Sequence, residues 1–255
     1  MNAAALAAEL HEARLQRRTV ARITDRVEGF TAADGYAVQR EGIALRVAAG
    51  ERIVGAKLGF TSAAMREAMG VAEPNYGILT DAMVLPDGEV DLGELIHPKA
   101  EPEIAFVLGS GLGPHPSAAG VLSATDHVMA CLEVVDSRFD GFSFLAADNI
   151  ADDSSAGLVV LGDPVDLPAD LRTVGVVLEV DGELAATAAG AAVLDHPAAA
   201  VAWAARRLAA EGRAVEPGTL VISGGLTRPV DLRPGMVVRC TIDRVGTVEL
   251  RTREV

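Results

Sequence analysis

Leu95-Ile96-His97-Pro98-Lys99-Ala100-Glu101-Pro102-Glu103-Ile104-Ala105-Phe106-Val107-Leu108-Gly109 is the stretch that decides the fold of this chain. Residues 104–108 are apolar, with β-branched and aromatic members, and predict a buried strand. Two carboxylates, Glu101 and Glu103, stand just ahead of that run. Successive strand side chains point to opposite faces, so positions i and i+2 share one. Two glutamates on one face are costly to bury unless something positive joins them. Either the pair lies on a solvated strand edge, or it holds a hard divalent cation, which takes oxygen ligands. A third acid favours the cation. Glu133 is the only charge in a second strand-like run, Cys131-Leu132-Glu133-Val134-Val135.

Composition sets the outer bounds. The chain has 255 residues, half of them apolar, which is enough for one large domain or two small ones. No apolar run reaches the roughly 20 residues of a membrane span. The alanine-rich N-terminus carries Glu9, His11, Glu12 and Arg14, so it reads as an amphipathic helix and not as a secretory signal. The expected compartment is the cytoplasm. A net charge of −14 argues against nucleic acid and against anionic membranes as partners. Cys131 and Cys240 both lie in apolar runs and read as small core residues, not as a disulfide or a zinc site.

The basic residues are unevenly chosen. Of 22, only Lys57 and Lys99 are lysine, and both fall in motif stretches. Arg cannot readily lose a proton, whereas a buried Lys can serve as a base. Lys57 lies in Val54-Gly55-Ala56-Lys57-Leu58-Gly59, a setting for a partly buried amine. Burial and a nearby cation would both lower its pKa, making it a general base or acid. The alternative is a lysine snorkelling from a strand end. Lys99 and His97 either line a site or pair on the surface, and the structural reading is preferred for both.

Element signals run in a clear order. Residues 2–27 predict one helix, with Leu6, Leu10, Leu15 and Val20 as its stripe. Thr31 can cap the next helix, with Asp34 in the capping-box position, and Gly50 ends it. Residues 51–58 are strand-like, and Thr61 or Ser62 caps a short helix that Gly70 stops. Residues 73–88 read as irregular, 109–118 as a surface loop, 118–124 as a short helix and 139–157 as a mobile loop. Residues 174–188 form a hairpin around Asp181-Gly182. Residues 197–210 are an amphipathic helix, His196 capping or packing at its start. Strands at 220–223, 237–242 and 247–251 finish the chain. The class is α+β, with a mainly helical N-terminal subdomain over 1–79 that contributes Lys57 and a β-rich domain over 80–255.

Taken together, the motifs resemble the hydratase/decarboxylase branch of the fumarylacetoacetate hydrolase superfamily. They are Glu101-Pro102-Glu103-Ile104-Ala105-Phe106, Leu132-Glu133-Val134-Val135-Asp136-Ser137-Arg138, Gly55-Ala56-Lys57-Leu58-Gly59-Phe60-Thr61-Ser62, Gly190-Ala191-Ala192-Val193-Leu194-Asp195-His196-Pro197 and Ser223-Gly224-Gly225-Leu226-Thr227. That branch contains 4-oxalocrotonate decarboxylases and 2-hydroxypenta-2,4-dienoate hydratases of aromatic meta-cleavage catabolism. The resemblance implies a mixed β-roll or sandwich with an N-terminal helical subdomain. It implies Mg²⁺ or Mn²⁺ held by Glu101, Glu103 and Glu133, with Lys57 as the active-site lysine. The implied substrate is a small 2-oxo-enoic acid, reacting through a metal-stabilised enolate. Decarboxylation of 2-oxo-hex-3-enedioate is the first choice, on the wording of stretches such as Leu85-Pro86-Asp87-Gly88, and hydration of 2-hydroxypenta-2,4-dienoate is the alternative. An acylpyruvate-type C–C hydrolase and a non-catalytic partner subunit are further readings. A homo-oligomer, or a complex with a homologous hydratase or decarboxylase, is also implied.

Thr61, Ser62, Asn75, Arg138, Asp152, Gly225 and Thr227 are expected to bind substrate or support the ligands. Arg138 would pair with Asp136 or hold a ligating carboxylate. Thr227, after Gly224-Gly225, could hold a substrate carboxylate with backbone N–H groups. One departure stands out. After Asp152 the family continues with Asn, then small and hydroxyl residues, and often an Arg. Here the run is Asp152-Asp153-Ser154-Ser155-Ala156-Gly157-Leu158, with Asp153 in place of Asn and no Arg. A different substrate would follow if that Arg holds a distal carboxylate.

Overall fold

Two β-sheets packed face to face carry the chain, with helices at its N-terminal end and against the larger sheet. The computed structural model describes residues 1–253. In chain order the elements are α1 (Ala3–Leu15), α2 (Ala32–Ala48), β1 (Ile53–Gly59), α3 (Ala63–Met69), β2 (Asn75–Thr80), β3 (Val84–Leu85), β4 (Glu89–Val90) and β5 (Lys99–Leu108). There follow α4 (Ala118–Ala124), β6 (Thr125–Val135), α5 (Ala146–Ala151), β7 (Ala156–Leu161), β8 (Gly175–Val180) and β9 (Glu183–Ala189). The chain closes with α6 (Pro197–Ala210), β10 (Leu220–Ile222), β11 (Val230–Asp231), β12 (Val237–Ile242) and β13 (Gly246–Thr252).

The large sheet has the order β2-β1-β10-β5-β6-β7-β3, with β11 also paired to β5. The small one has the order β4-β13-β12-β8-β9. Between them lies the main core, with Ile104, Phe106, Leu132 and Val134 from the large sheet and Val238, Cys240 and Leu250 from the small one. Residues of opposite parity face the other way and build a second cluster, with Ala105, Met129, Cys131, Val159 and Ile222. Both faces of β5 and β6 are therefore covered, which is why these strands read as continuous apolar runs. Glu101, Glu103 and Glu133 share parity with the second cluster.

Local signals set most element ends. Thr31 and Asp34 make a reciprocal capping box on α2. Ser62 caps α3, and Gly70 ends it in the left-handed conformation. Pro197 begins α6, where the His196 ring nitrogen accepts the Ala198 N–H at 3.0 Å. The hairpin of β8 and β9 and the helix α4 also stand where their signals predict.

Three expectations are corrected. The helix predicted over 2–27 ends at Leu15, and Arg17 turns left-handed (φ 53°). Val20 then bridges to Phe139, and Ile23 buries with Ala7, Leu10 and Ala13, so tertiary packing takes the end of the stripe out of the helix. Residues 75–80, read as irregular, are a fully buried strand. Gly77 stands within it because a Cβ would collide with the Asp153 carbonyl. The 139–157 segment, read as a mobile loop, holds α5 and a buried turn, and Asp148 accepts from Thr24 N and Oγ1. The division at residue 80 falls within β2, and both β1 and β2 are strands of the large sheet.

Candidate active site

The acidic pair on β5 meets the acid of β6 through antiparallel register. Glu101 is the direct partner of Glu133, and Glu103 that of Cys131. One carboxylate oxygen from each of the three glutamates lies within 4.8 Å of the others. Glu103 and Glu133 are completely buried. Burial and the charge of Glu133 push Glu101 up to about 7, and the same two causes hold Glu103 well above the carboxylate range. The Gly224 N–H donates to Glu103 Oε2 at 2.7 Å. Glu103 Oε1 and Glu133 Oε2 have no hydrogen-bond partner among the described residues. Buried acceptors left open like this are expensive. Three crowded carboxylates with orphaned oxygens fit a hard divalent cation.

Lys57 reaches this cluster from β1. It is buried, and its Nζ lies 3.1 Å from Glu133 Oε1. It donates to Ser154 O at 2.8 Å and to Ser154 Oγ at 3.3 Å. The expected fall in its pKa counted a nearby cation; the protein's own groups act the other way. Burial works against the charge, but the fields of Glu133, Glu103 and Glu101 outweigh it and raise the pKa. The lysine is thus an ammonium held against carboxylates, not a snorkelling surface residue.

Ser154 sits in a turn where Asp153, Ser154 and Ser155 all have positive φ, at 53°, 55° and 55°. That turn is tied down from several sides. Asp153 Oδ1 accepts the Ile78 N–H at 2.8 Å, Ser154 Oγ donates to Asn75 Oδ1 at 3.0 Å, and Asn75 donates to Asn149 at 2.7 Å. Asn149 in turn donates to Ser155 Oγ at 3.0 Å. Asn75 therefore supports the lysine's partner and does not line the cavity.

Arg138 departs from its expectation. Its guanidinium pairs with the buried Asp152, and it donates to the Asp136 carbonyl at 2.6 Å, not to that side chain. The Asp136 carboxylate instead accepts from the Ile96 and His97 backbones. Arg138 touches none of the three glutamates. In the Gly224-Gly225 turn the Gly224 N–H serves Glu103. Gly225 is glycine because a Cβ there would strike Glu101 Oε2. The Thr227 hydroxyl donates to the Arg228 carbonyl at 3.0 Å. Leu158, which closes the run after Asp152, pairs with Val134 and packs against the main core, on the face away from the glutamates.

A cavity of about 290 Å³ opens over the cluster. Lys57, Glu101, Thr61, Ser62, Gly225 and Thr227 line it. Its apolar walls are Phe60, Met65, Met69, Val135, Phe142 and Phe144. Asn149, Ser154 and Ser155 also line it, and sequence reasoning missed them; Lys99, for which the surface pairing is preferred, lines it as well as pairing with Asp231. Lys99 carried a signal in the scarcity of lysine. Ser154 carried none, since it meets Lys57 from 97 positions away.

Residues 58–253 match the family described as fumarylacetoacetate (FAA) hydrolase C-terminal. This chain belongs to the fumarylacetoacetate hydrolase family. Within the family, it is 42% identical over 235 residues to a 4-oxalocrotonate decarboxylase of Pseudomonas sp. (strain CF600), covering 91% of this chain and 89% of that one. It is 45% identical over 205 residues to a 2-hydroxypent-2,4-dienoate hydratase of Pseudomonas putida, covering 78% and 92%. The fold superposes on 4-oxalocrotonate decarboxylase from Pseudomonas putida G7, complexed with magnesium and adipate, with a TM-score of 0.94 at 39% identity, covering 98% and 97% of the two chains. The family fold expected from the sequence is thus the fold found.

Proposed function

We propose that this member of the family is a divalent-cation-dependent lyase of aromatic catabolism that decarboxylates 2-oxo-hex-3-enedioate. The observation that carries the reading is the Glu101–Glu103–Glu133 cluster, two of its acids buried with orphaned oxygens, Lys57 at its side, and Glu101 lining a cavity. Those three glutamates would hold Mg²⁺ or Mn²⁺. The bound cation would supply Lewis-acid stabilisation of charge on a 2-oxo acid.

The chain's own residues supply the rest. Lys57 keeps a positive charge and a donor N–H at the cavity floor, where it can deliver a proton to substrate oxygen once CO₂ has left. The Ser154 carbonyl fixes the direction of that ammonium. The apolar walls exclude water, which strengthens each electrostatic contact within. Thr61 and Ser62, just ahead of α3, line the cavity together with Gly225 and Thr227, and Thr61 packs against Gly224, where a Cβ would strike its hydroxyl.

Hydration of 2-hydroxypenta-2,4-dienoate is the second reading, favoured by the 45% identity to a hydratase. Product analysis with Mg²⁺ and each substrate separates the two. CO₂ release from 2-oxo-hex-3-enedioate supports the first, and water addition to the dienoate without CO₂ release supports the second. A homo-oligomer, or association with a homologous hydratase, belongs to the same proposal and is read by light scattering of the chain alone and mixed. No helix among the described residues is long and apolar enough to cross a membrane.

A further inference from the structure

Both lysines of the chain line the same cavity, and no Arg or His among the described residues does so. Lys57 is held beside the glutamates, its Nζ 2.8 Å from Ser154 O, 3.3 Å from Ser154 Oγ and 3.1 Å from Glu133 Oε1, so its charge serves that end of the cavity. Lys99 stands two positions before Glu101 on β5, so the pleat places the two on one face, and both line the cavity.

The surroundings of Lys99 suit an exchangeable anion. Its Nζ lies 4.9 Å from the Phe142 ring centroid, so the ring helps hold the cation at the wall. Its present partner, Asp231 at 2.8 Å, has a side chain that is 83% exposed. A solvated partner like this contributes little and is readily replaced. The neighbouring walls, Val135, Phe142 and Phe144, offer no other charge, and a carboxylate among them would be costly without a cation.

We infer that Lys99 recognises the second carboxylate of a dicarboxylic 2-oxo acid and so selects a diacid over the matching monoacid. The inference rests on the function proposed above and names its substrate class. The test is calorimetric titration of the Mg²⁺-loaded protein with 2-oxoadipate and with 2-oxohexanoate, which differ only in the distal carboxylate. The wild type is expected to prefer the diacid. Lys99→Met should weaken 2-oxoadipate about tenfold or more, the loss of a charge-assisted hydrogen bond, and keep 2-oxohexanoate within about threefold. Retained monoacid binding also shows that the variant is folded. Lys99→Arg should keep the preference, and Asp231→Asn, which frees the ammonium, should tighten the diacid. An equal loss for both ligands in Lys99→Met, or a diacid preference that survives it, overturns the inference. CO₂ release is scored separately. A Lys99-dependent diacid preference without CO₂ release overturns the proposed reaction alone, and CO₂ release with an unchanged preference in Lys99→Met overturns this inference alone.

Discussion

Glu101 and Glu133 are register partners on adjacent antiparallel strands, so two acids separated by 32 positions in the chain share one face of the sheet. Like charges directly opposite in a ladder destabilise it. Glu103 adds a third acid, and Lys57 offsets the cluster only in part.

Removing one acid therefore has a specific outcome. Glu133→Gln should lower Mg²⁺ affinity by at least tenfold, since even supporting partners of a ligand contribute about 10–100-fold. Far-UV circular dichroism should stay unchanged. Calorimetric titration with Mg²⁺ reads the first, and unaltered affinity would remove Glu133 from the ligand set.

Lys57→Arg keeps charge but not chemistry. A guanidinium stays protonated across the working range and cannot pass a proton to substrate. The expected loss in kcat, at saturating Mg²⁺ and substrate, is about 10²–10⁴-fold. A variant within about threefold of wild type would leave Lys57 an electrostatic residue and not the proton donor, against the contribution such groups make.

Asp153 makes stability depend on pH. Burial pushes its carboxyl from the ordinary 3.8 up to about 7, and only one of its oxygens finds a partner, the Ile78 N–H. Between those values the folded chain holds a proton that the unfolded chain has released. The contribution is fully present below the unfolded pKa and is lost as pH rises to about 7. Asp153→Asn keeps the acceptor for Ile78 and tolerates the left-handed backbone. Its gain in Tm should be larger at pH 8 than at pH 5, and calorimetric scans that shift equally at both would contradict this.

Arg138 and Asp152 are both buried and paired with each other, and burial still holds the Asp152 carboxyl up at about 6. Removing the guanidinium leaves a charge without compensation. Arg138→Gln should cost about 3–5 kcal/mol in urea unfolding, as breaking a buried pair does. A cost under about 1 kcal/mol, the range of surface pairs, would show that the pair does not hold the turn at Asp152 in place.

What the sequence determined by itself is local in origin. The same-face placement of Glu101 and Glu103 follows from the period of a strand, and the caps at Thr31, Ser62, Gly70 and His196 follow from adjacent donors and acceptors. The apolar runs around Glu103 and Glu133 marked strands covered on both faces. The motif order marked the family, and with it the fold. Tertiary structure decided what depends on register and on distant partners. Glu133 joins the other acids only because β5 and β6 pair antiparallel with Glu101 opposite Glu133. Ser154 becomes the acceptor for Lys57 only because the 153–155 turn packs against Gly77. The direction of the Lys57 pKa shift follows from the same convergence. Burial alone lowers a lysine pKa, and three carboxylates brought from two other strands reverse it. Sequence spacing contains no field, because a field is the sum over charges that only the folded chain brings within a few ångströms.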